Sequence, residues 1–149
     1  MFNLSESDVS LKLRPETRRL IEVLRVRRPH GSRTERRFLR DFLGDLQLER
    51  DEAGNLHRRI GDAPVLWSCH TDTVHRAGGT QRIAYKAGKV MVSSKERDSN
   101  CLGADDGVGV WLMSEMIRAE RPGLYIFHRG EELGCIGSRH IASNTPELI

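Results

Sequence analysis

The sequence predicts an α/β fold, in which a mixed, mostly parallel sheet is flanked by helices. Short apolar runs typical of strands alternate with segments of helical periodicity along the 149 residues. The composition, with 38% hydrophobic and 30% charged residues, is that of a globular protein and argues against a disordered chain. Clusters of acidic residues and histidine stand next to the predicted strands and helices, as expected for a functional site in this fold class.

Two helices are predicted in the N-terminal third of the chain. Pro15 can occupy the first turn of a helix that continues to about Val26. Ser32 and Glu35 form a capping-box pattern ahead of a second helix. We interpret residues 1–13 as a flexible leader and residues 14–149 as a single α/β domain.

The middle of the chain is predicted to form strands. A first hairpin covers residues 46–60, with Gly54 and Asn55 in its turn, and a second covers residues 81–93 and turns at Ala87 and Gly88. Between them, the nearly continuous apolar run of residues 63–70 predicts a buried central strand. A helix follows from about Asp106 to Ala119, then a second buried strand over residues 123–129 and a short terminal helix.

Three pairs of side chains lie at the boundaries of these elements, where the carboxyl ends of strands usually build sites. One pair follows the first apolar strand, one precedes the third helix, and one follows the second apolar strand. The pairs are His70 and Asp72, Asp105 and Asp106, and Glu131 and Glu132.

Imidazole and carboxylate groups together suit a divalent metal such as zinc, manganese or cobalt. An aspartate two residues after a metal-binding histidine can hold the other ring nitrogen of that histidine. Of two adjacent glutamates, one can bind metal while the other accepts a proton from the attacking water. Each pattern alone is often incidental, but the three together indicate a metal site.

Three segments carry a resemblance to a known family: "SCHTDTV", "LGADDGVG" and "GEELGCIGS". They resemble the signature set of the co-catalytic di-zinc exopeptidases of the peptidase T, carboxypeptidase G and aminoacylase type, which are related to the zinc aminopeptidases. The resemblance extends from about Val65 to Ser138. It implies a zinc exopeptidase-like core and a metal-dependent hydrolase acting on small peptides or N-acyl amino acids.

The resemblance also implies roles for individual residues. His70 would bind one metal, Asp105 would bridge two, and Glu132 would bind the second. Asp72 would orient His70, and Glu131 would act as the general base. The implied cofactor is two Zn²⁺ ions, with Mn²⁺ or Co²⁺ as alternatives, and the peptide bond after Asp105 would be cis.

The sequence departs from the family pattern in two ways. His75 stands where a proline often follows the first motif, and Gly107 stands where many members carry lysine. The family pattern also includes a further acidic ligand and a histidine ligand downstream of the glutamate pair. His140 is a candidate to replace a missing ligand, but the sequence offers little support for that role. We therefore expect the N-terminal portion of a metallopeptidase catalytic domain, with two of three protein ligands for each metal.

Two other interpretations stay open. The chain could be a non-catalytic fragment or pseudo-enzyme of the same fold. Ten arginines between residues 14 and 40 could form a nucleic-acid-binding face, but no recognition-helix or RNA-binding motif accompanies them. Sparse cysteines predict a cytoplasmic protein, and the lack of a long apolar run predicts no membrane partner. An exposed sheet edge predicts homo-oligomers.

Overall fold

A computed structural model gives the structure of the protein over residues 13–146. Four α-helices lie in this part of the chain: α1 (Pro15–Leu24), α2 (Arg33–Leu43), α3 (Ala104–Arg118) and α4 (Ile136–Asn144). The strands are β1 (Val26–Arg27), β2 (Glu49–Arg50), β3 (Leu56–Ile60), β4 (Leu66–His70), β5 (Gly79–Thr80), β6 (Ile83–Lys86), β7 (Lys89–Val92) and β8 (Gly123–His128). A 3₁₀ turn (Glu131–Leu133) connects β8 to α4. The predicted leader lies outside the described residues, except for residue 13, and the single domain over residues 14–149 stays a prediction.

The main sheet has the strand order β2-β3-β8-β4. The sheet is mixed, which confirms the predicted α/β class, but the expected predominance of parallel pairing is wrong for the described residues. β2 pairs with β3 and β3 with β8 in antiparallel fashion, whereas β4 and β8 run parallel. Parallel pairing needs a long crossover, which α3 supplies between β4 and β8, whereas β2 and β3 are joined by a short hairpin turn.

The two apolar strands differ in position. β8 is buried over Gly123 to Phe127, as predicted, and it lies in the middle of the sheet. β4 was predicted to be a buried central strand, and this is wrong for the described residues, because β4 forms the edge of the sheet there. Leu66 is 48% exposed, and Val65 and Trp67 beside it are also exposed.

Helices cover both faces of the sheet. Side chains alternate along β8, so that Tyr125 and Phe127 point to one face and Leu124 and Ile126 to the other. The first pair packs into the main core with residues of α1, α2 and α3, among them Val23, Phe38, Leu43, Val110, Met113 and Ile117. Leu124 and Ile126 form a smaller cluster with Ile141 of α4.

Local sequence signals account for most element boundaries. The Ser32 side chain accepts a hydrogen bond from the Glu35 backbone amide at 3.0 Å, so α2 begins where the capping pattern predicts. The hairpin of β6 and β7 turns at Ala87 and Gly88, which both have positive φ, as predicted. Within residues 13–146, no helix combines the length and apolarity needed to cross a bilayer.

Candidate metal centre

His70 is the last residue of β4 and Asp72 lies in the loop after it, at the carboxyl end of the strand, and both side chains are buried. His70 Nδ1 lies 3.0 Å from the backbone carbonyl oxygen of Asp72 and 3.6 Å from its carboxylate. This contact leaves Nε2 of His70 facing outward, 2.9 Å from Oδ1 of Asp105. Burial lowers the pKa of His70, but the contacts with Asp72 and Asp105 outweigh it and raise the pKa to about 9.

Asp72 joins the two strand-end loops of the site. Its carboxylate oxygens accept hydrogen bonds from the backbone amides of Glu131 at 3.1 Å and Glu132 at 3.2 Å. Burial raises the pKa of Asp72, but His70 and these backbone amides outweigh burial, so the pKa lies below its ordinary value. An ionised Asp72 can therefore orient both His70 and the loop after β8.

The Asp105 and Asp106 pair begins α3. The peptide bond between them is cis, as the resemblance implies, and both residues have non-helical backbone angles. Asp106 turns inward, where its carboxylate accepts hydrogen bonds from the amides of Gly109 at 3.0 Å and His70 at 3.3 Å. A Cβ on Gly109 would overlap the Asp106 carboxylate, so glycine at this position makes room for the turn. Asp105 points outward, and its side chain is 86% exposed.

Ligand atoms of His70, Glu131 and Glu132 lie within 4.8 Å of one another. Glu131 Oε2 is 3.9 Å from His70 Nε2, and the Glu131 side chain is 43% exposed. Burial raises the pKa of Glu132, and the charges of Glu131 and Asp105 add to the rise against the opposing effect of His70. One imidazole and several carboxylates at this spacing form a donor set that suits zinc or a similar divalent cation.

All five residues predicted from the sequence come together in this region, but the residues that lie closest together are not the metal ligands that the resemblance implies. Glu131, the predicted base, falls within the three-residue cluster, whereas Asp105, the predicted bridging ligand, contacts the cluster through His70. His140 lies on the exposed face of α4 and contacts Asn144, outside the cluster.

Arg28 is a supporting residue that sequence reasoning missed. It is fully buried, and its guanidinium donates to the carbonyl oxygen of Thr71 at 3.0 Å and that of Val23 at 2.7 Å. Burial lowers the pKa of Arg28 to about 10, although Cys69 and Glu35 nearby oppose this effect. Arg28 Nη2 lies 3.1 Å from the position of a Cβ on Gly107, so the glycine found in place of lysine adjoins a buried cation.

His75, the other departure from the family pattern, is also structural. Its ring nitrogens lie 2.7 Å from the Thr73 hydroxyl and 3.1 Å from the carbonyl oxygen of Cys101. A Cβ on Gly103 would come within 2.7 Å of the His75 ring. His75 therefore ties the loop after β4 to the segment that leads into α3.

Comparison with known structures supports the fold. A tripeptidase from Staphylococcus aureus subsp. aureus Mu50 superposes with a TM-score of 0.67 at 23% identity, over 90% of this chain and 40% of that chain. Aminoacylhistidine dipeptidase from Vibrio alginolyticus gives a TM-score of 0.61 at 14% identity, over 87% of this chain and 31% of that chain. The protein thus spans less than half the length of either structure.

Sequence comparison identifies the family. No curated protein sequence matches the chain. The profile of peptidase family M28, however, matches residues 53–148, a segment that contains the whole candidate metal centre. Because this segment makes up more than half of the sequence, the chain belongs to peptidase family M28.

Proposed function

We propose that this chain forms the N-terminal, metal-binding part of the catalytic domain of a metal-dependent exopeptidase. The observation that supports this most strongly is the approach of His70, Glu131 and Glu132 to within 4.8 Å, with Asp105 beside His70. These side chains come from three separate loops, and two of these loops follow parallel strands, where α/β proteins usually build their sites.

In the proposed site, His70, Asp105 and Glu132 would hold two zinc ions, with Asp105 as the shared ligand and manganese or cobalt as alternatives. Zinc supplies Lewis acidity, which polarises the scissile carbonyl and makes water a stronger acid. Asp72 keeps the His70 ring in position through Nδ1, so that Nε2 is available as a ligand atom.

Glu131 is the proposed general base. Its half-exposed carboxylate can reach a substrate on the open side of the cluster, while its backbone amide is held by Asp72. The Cys135 thiol lies 3.6 Å from the other carboxylate oxygen and can orient it. In this role Glu131 accepts a proton from the attacking water and delivers it to the leaving amine.

The proposed substrates are small peptides or N-acyl amino acids. Support comes from the two similar structures, which are a tripeptidase and an aminoacylhistidine dipeptidase. All three cysteines are free thiols, which supports the cytoplasmic location expected from the sequence.

Calorimetric titration of the chain with zinc tests the metal centre. We expect two sites of sub-micromolar affinity, both lost in Asp105→Ala and retained in Asp98→Ala, which removes an exposed carboxylate from the preceding loop. One weak site or none in the parent chain would contradict the two-metal proposal.

Peptide hydrolysis by the complete enzyme tests the base. Glu131→Gln should lower kcat on tripeptides by about 10²–10⁴-fold, the usual contribution of a general base, while zinc remains bound. Glu52→Gln changes an exposed glutamate in the hairpin turn and should leave kcat unaltered. Activity that survives in Glu131→Gln would rule out this base, and zinc binding without hydrolysis in the parent enzyme would favour the non-catalytic alternative.

The proposed homo-oligomer rests on β4. Within residues 13–146, β4 pairs only with β8, so its other edge, beside the exposed Leu66 and Trp67, can accept another strand. Light scattering coupled to size-exclusion chromatography should detect dimers or larger species of the 149-residue chain. A single monomeric peak across concentrations would remove this part of the proposal.

A further inference from the structure

A concave site is lined by residues other than those of the metal centre. α2, the β2–β3 hairpin and the segment after β8 enclose a cavity of about 320 Å³. Four arginines contribute to its lining, and no acidic residue does so. The four are Arg36, Arg40, Arg50 and Arg129.

Two of these guanidinium groups converge on one point. Arg129 Nη1 lies 2.9 Å and Arg50 Nη2 lies 3.0 Å from the position that a Cβ would take on Gly54. Gly54 has a φ of +88° and no side chain, so both guanidinium groups pack against its backbone at the wall of the cavity. Two guanidinium groups that contact the same residue of a cavity wall can both donate to an anion bound in the cavity.

The charges nearby neutralise these arginines only in part. Arg129 Nη2 is 3.7 Å from the buried Glu35 carboxylate, and Arg40 Nε is 2.7 Å from the Asp41 carboxylate. Within residues 13–146, the Arg36 and Arg50 side chains form no ion pair. The cavity therefore keeps the positive charge of these two arginines.

The rest of the lining is apolar. Four leucines, two from α2 and two from the hairpin, contribute to it beside the arginines: Leu39, Leu43, Leu48 and Leu56. Leu43 is buried, and the other three are partly buried and pack against the main core. A ligand that fills this cavity would place its charged end at the arginines and an apolar group against the leucines.

We propose that this cavity binds a small phosphate monoester with an apolar group. A carboxylate offers two oxygens, which a single guanidinium fork can satisfy, whereas a phosphate offers three and can accept from two forks at once. A dianion also matches the surplus charge better than a monoanion does. The site contains none of the proposed metal ligands, so it does not depend on the proposed function.

Calorimetric titration of the full chain with phenyl phosphate tests the proposal. We expect phenyl phosphate to bind at least about tenfold more tightly than inorganic phosphate, because only the former can cover the leucines. It should also bind more tightly than benzoate, which has the same ring and a carboxylate head. Glu132→Gln, which removes a proposed metal ligand, should leave the affinity for phenyl phosphate unchanged, so that failure of either proposal can be recognised separately.

Variants locate the bound anion. Arg50→Gln should weaken phenyl phosphate binding at least about tenfold through the loss of a charge-assisted hydrogen bond, and so should Arg129→Gln. Arg50 is exposed, so its replacement should not disturb folding even if that of Arg129 does. Arg59→Gln removes the same charge from an exposed position on β3 outside the cavity and should change the affinity by less than about twofold.

Three results would overturn the proposal. The first is no detectable binding of phenyl phosphate by the parent chain, and the second is an equal loss of affinity in Arg59→Gln and Arg50→Gln. The third is binding of benzoate or inorganic phosphate that equals or exceeds that of phenyl phosphate. Discrimination against both reference anions, together with selective loss in Arg50→Gln, would establish the site.

Discussion

The two halves of the candidate metal centre are held in different ways. On the β4 side, His70 and Asp72 are buried and bonded to the backbone of neighbouring loops. On the other side, the Asp105 side chain is 86% exposed and that of Glu131 is 43% exposed. One half is therefore fixed by the fold, whereas the other half faces solvent.

This difference separates two kinds of mutational effect. A change in the buried half removes hydrogen bonds that the folded state needs, so it should lower the free energy of unfolding. A change in the exposed half removes a ligand from a cluster of repelling carboxylates, so it should lower zinc affinity and leave the fold intact. Four measurements test this distinction, and they are given in order of decreasing expected effect on the free energy of unfolding.

The largest effect is expected for Arg28→Met. This substitution removes the buried guanidinium that holds Thr71 and Val23 and leaves their carbonyl groups without that donor. We expect the free energy of unfolding to fall by about 3–5 kcal/mol, as is usual when a buried charged network is broken. Urea denaturation measures this value, with Arg59→Met at an exposed position of β3 as the control. A loss below about 1 kcal/mol would show that Arg28 does not hold the buried half.

A smaller effect is expected for Asp72→Asn. Asparagine keeps the size of the side chain but has one acceptor oxygen for the two amides of Glu131 and Glu132. We expect a loss of about 1–3 kcal/mol in the free energy of unfolding and a 10–100-fold weaker zinc affinity. Urea denaturation and calorimetry measure the two quantities. Unchanged stability would mean that Asp72, like the residues of the exposed half, is not needed to hold the fold.

The next effect is a pH dependence from His75, which ties the buried loop to the start of α3. Burial lowers the pKa of His75, so the unfolded chain takes up a proton before the folded chain does. The free energy of unfolding should therefore fall as the pH drops through about 6.5, the ordinary histidine value. His75→Gln should flatten this part of the curve, because glutamine does not titrate. Parallel curves for the two proteins would contradict the assignment.

The smallest effect on stability is expected for Glu132→Gln in the exposed half. Removing one negative charge from the cluster should change the free energy of unfolding by less than about 0.5 kcal/mol. Zinc affinity should nevertheless fall at least about tenfold, because a charged ligand is lost. Thermal unfolding without metal and calorimetry with zinc separate the two quantities. A large loss of stability would mean that both halves are fixed by the fold.

Local signals in the sequence predicted most of the fold. The cap at Ser32 and the turn at Ala87 and Gly88 specify their own backbone geometry, so neighbouring residues suffice to predict them. The position of β4 could not be predicted in this way. An apolar run predicts a strand with buried side chains, but it does not show which elements bury them. The run that includes Leu66 lies at the sheet edge within the described residues.

The site was predicted in part for the same reason. His70, Glu131 and Glu132 stand in motifs whose chemistry is readable in a few residues, and they do come together. Arg28 is one arginine among many in the N-terminal segment. Its burial depends on Thr71 and Gly107, which are distant in sequence, so no local motif distinguishes Arg28 from the other arginines.

The strand order has a consequence for how the chain folds. β3 ends at Ile60 and β4 begins at Leu66, yet β8 lies between them and pairs with both. The sheet therefore cannot close until residues 123–128 have been synthesised, and until then β3 and β4 both keep unpaired inner edges. Such long-range closure slows folding and leaves strands open to misassociation. We expect pulsed hydrogen exchange to show amides of β3 and β4 becoming protected together with β8, and earlier protection of β3 and β4 would argue against this order.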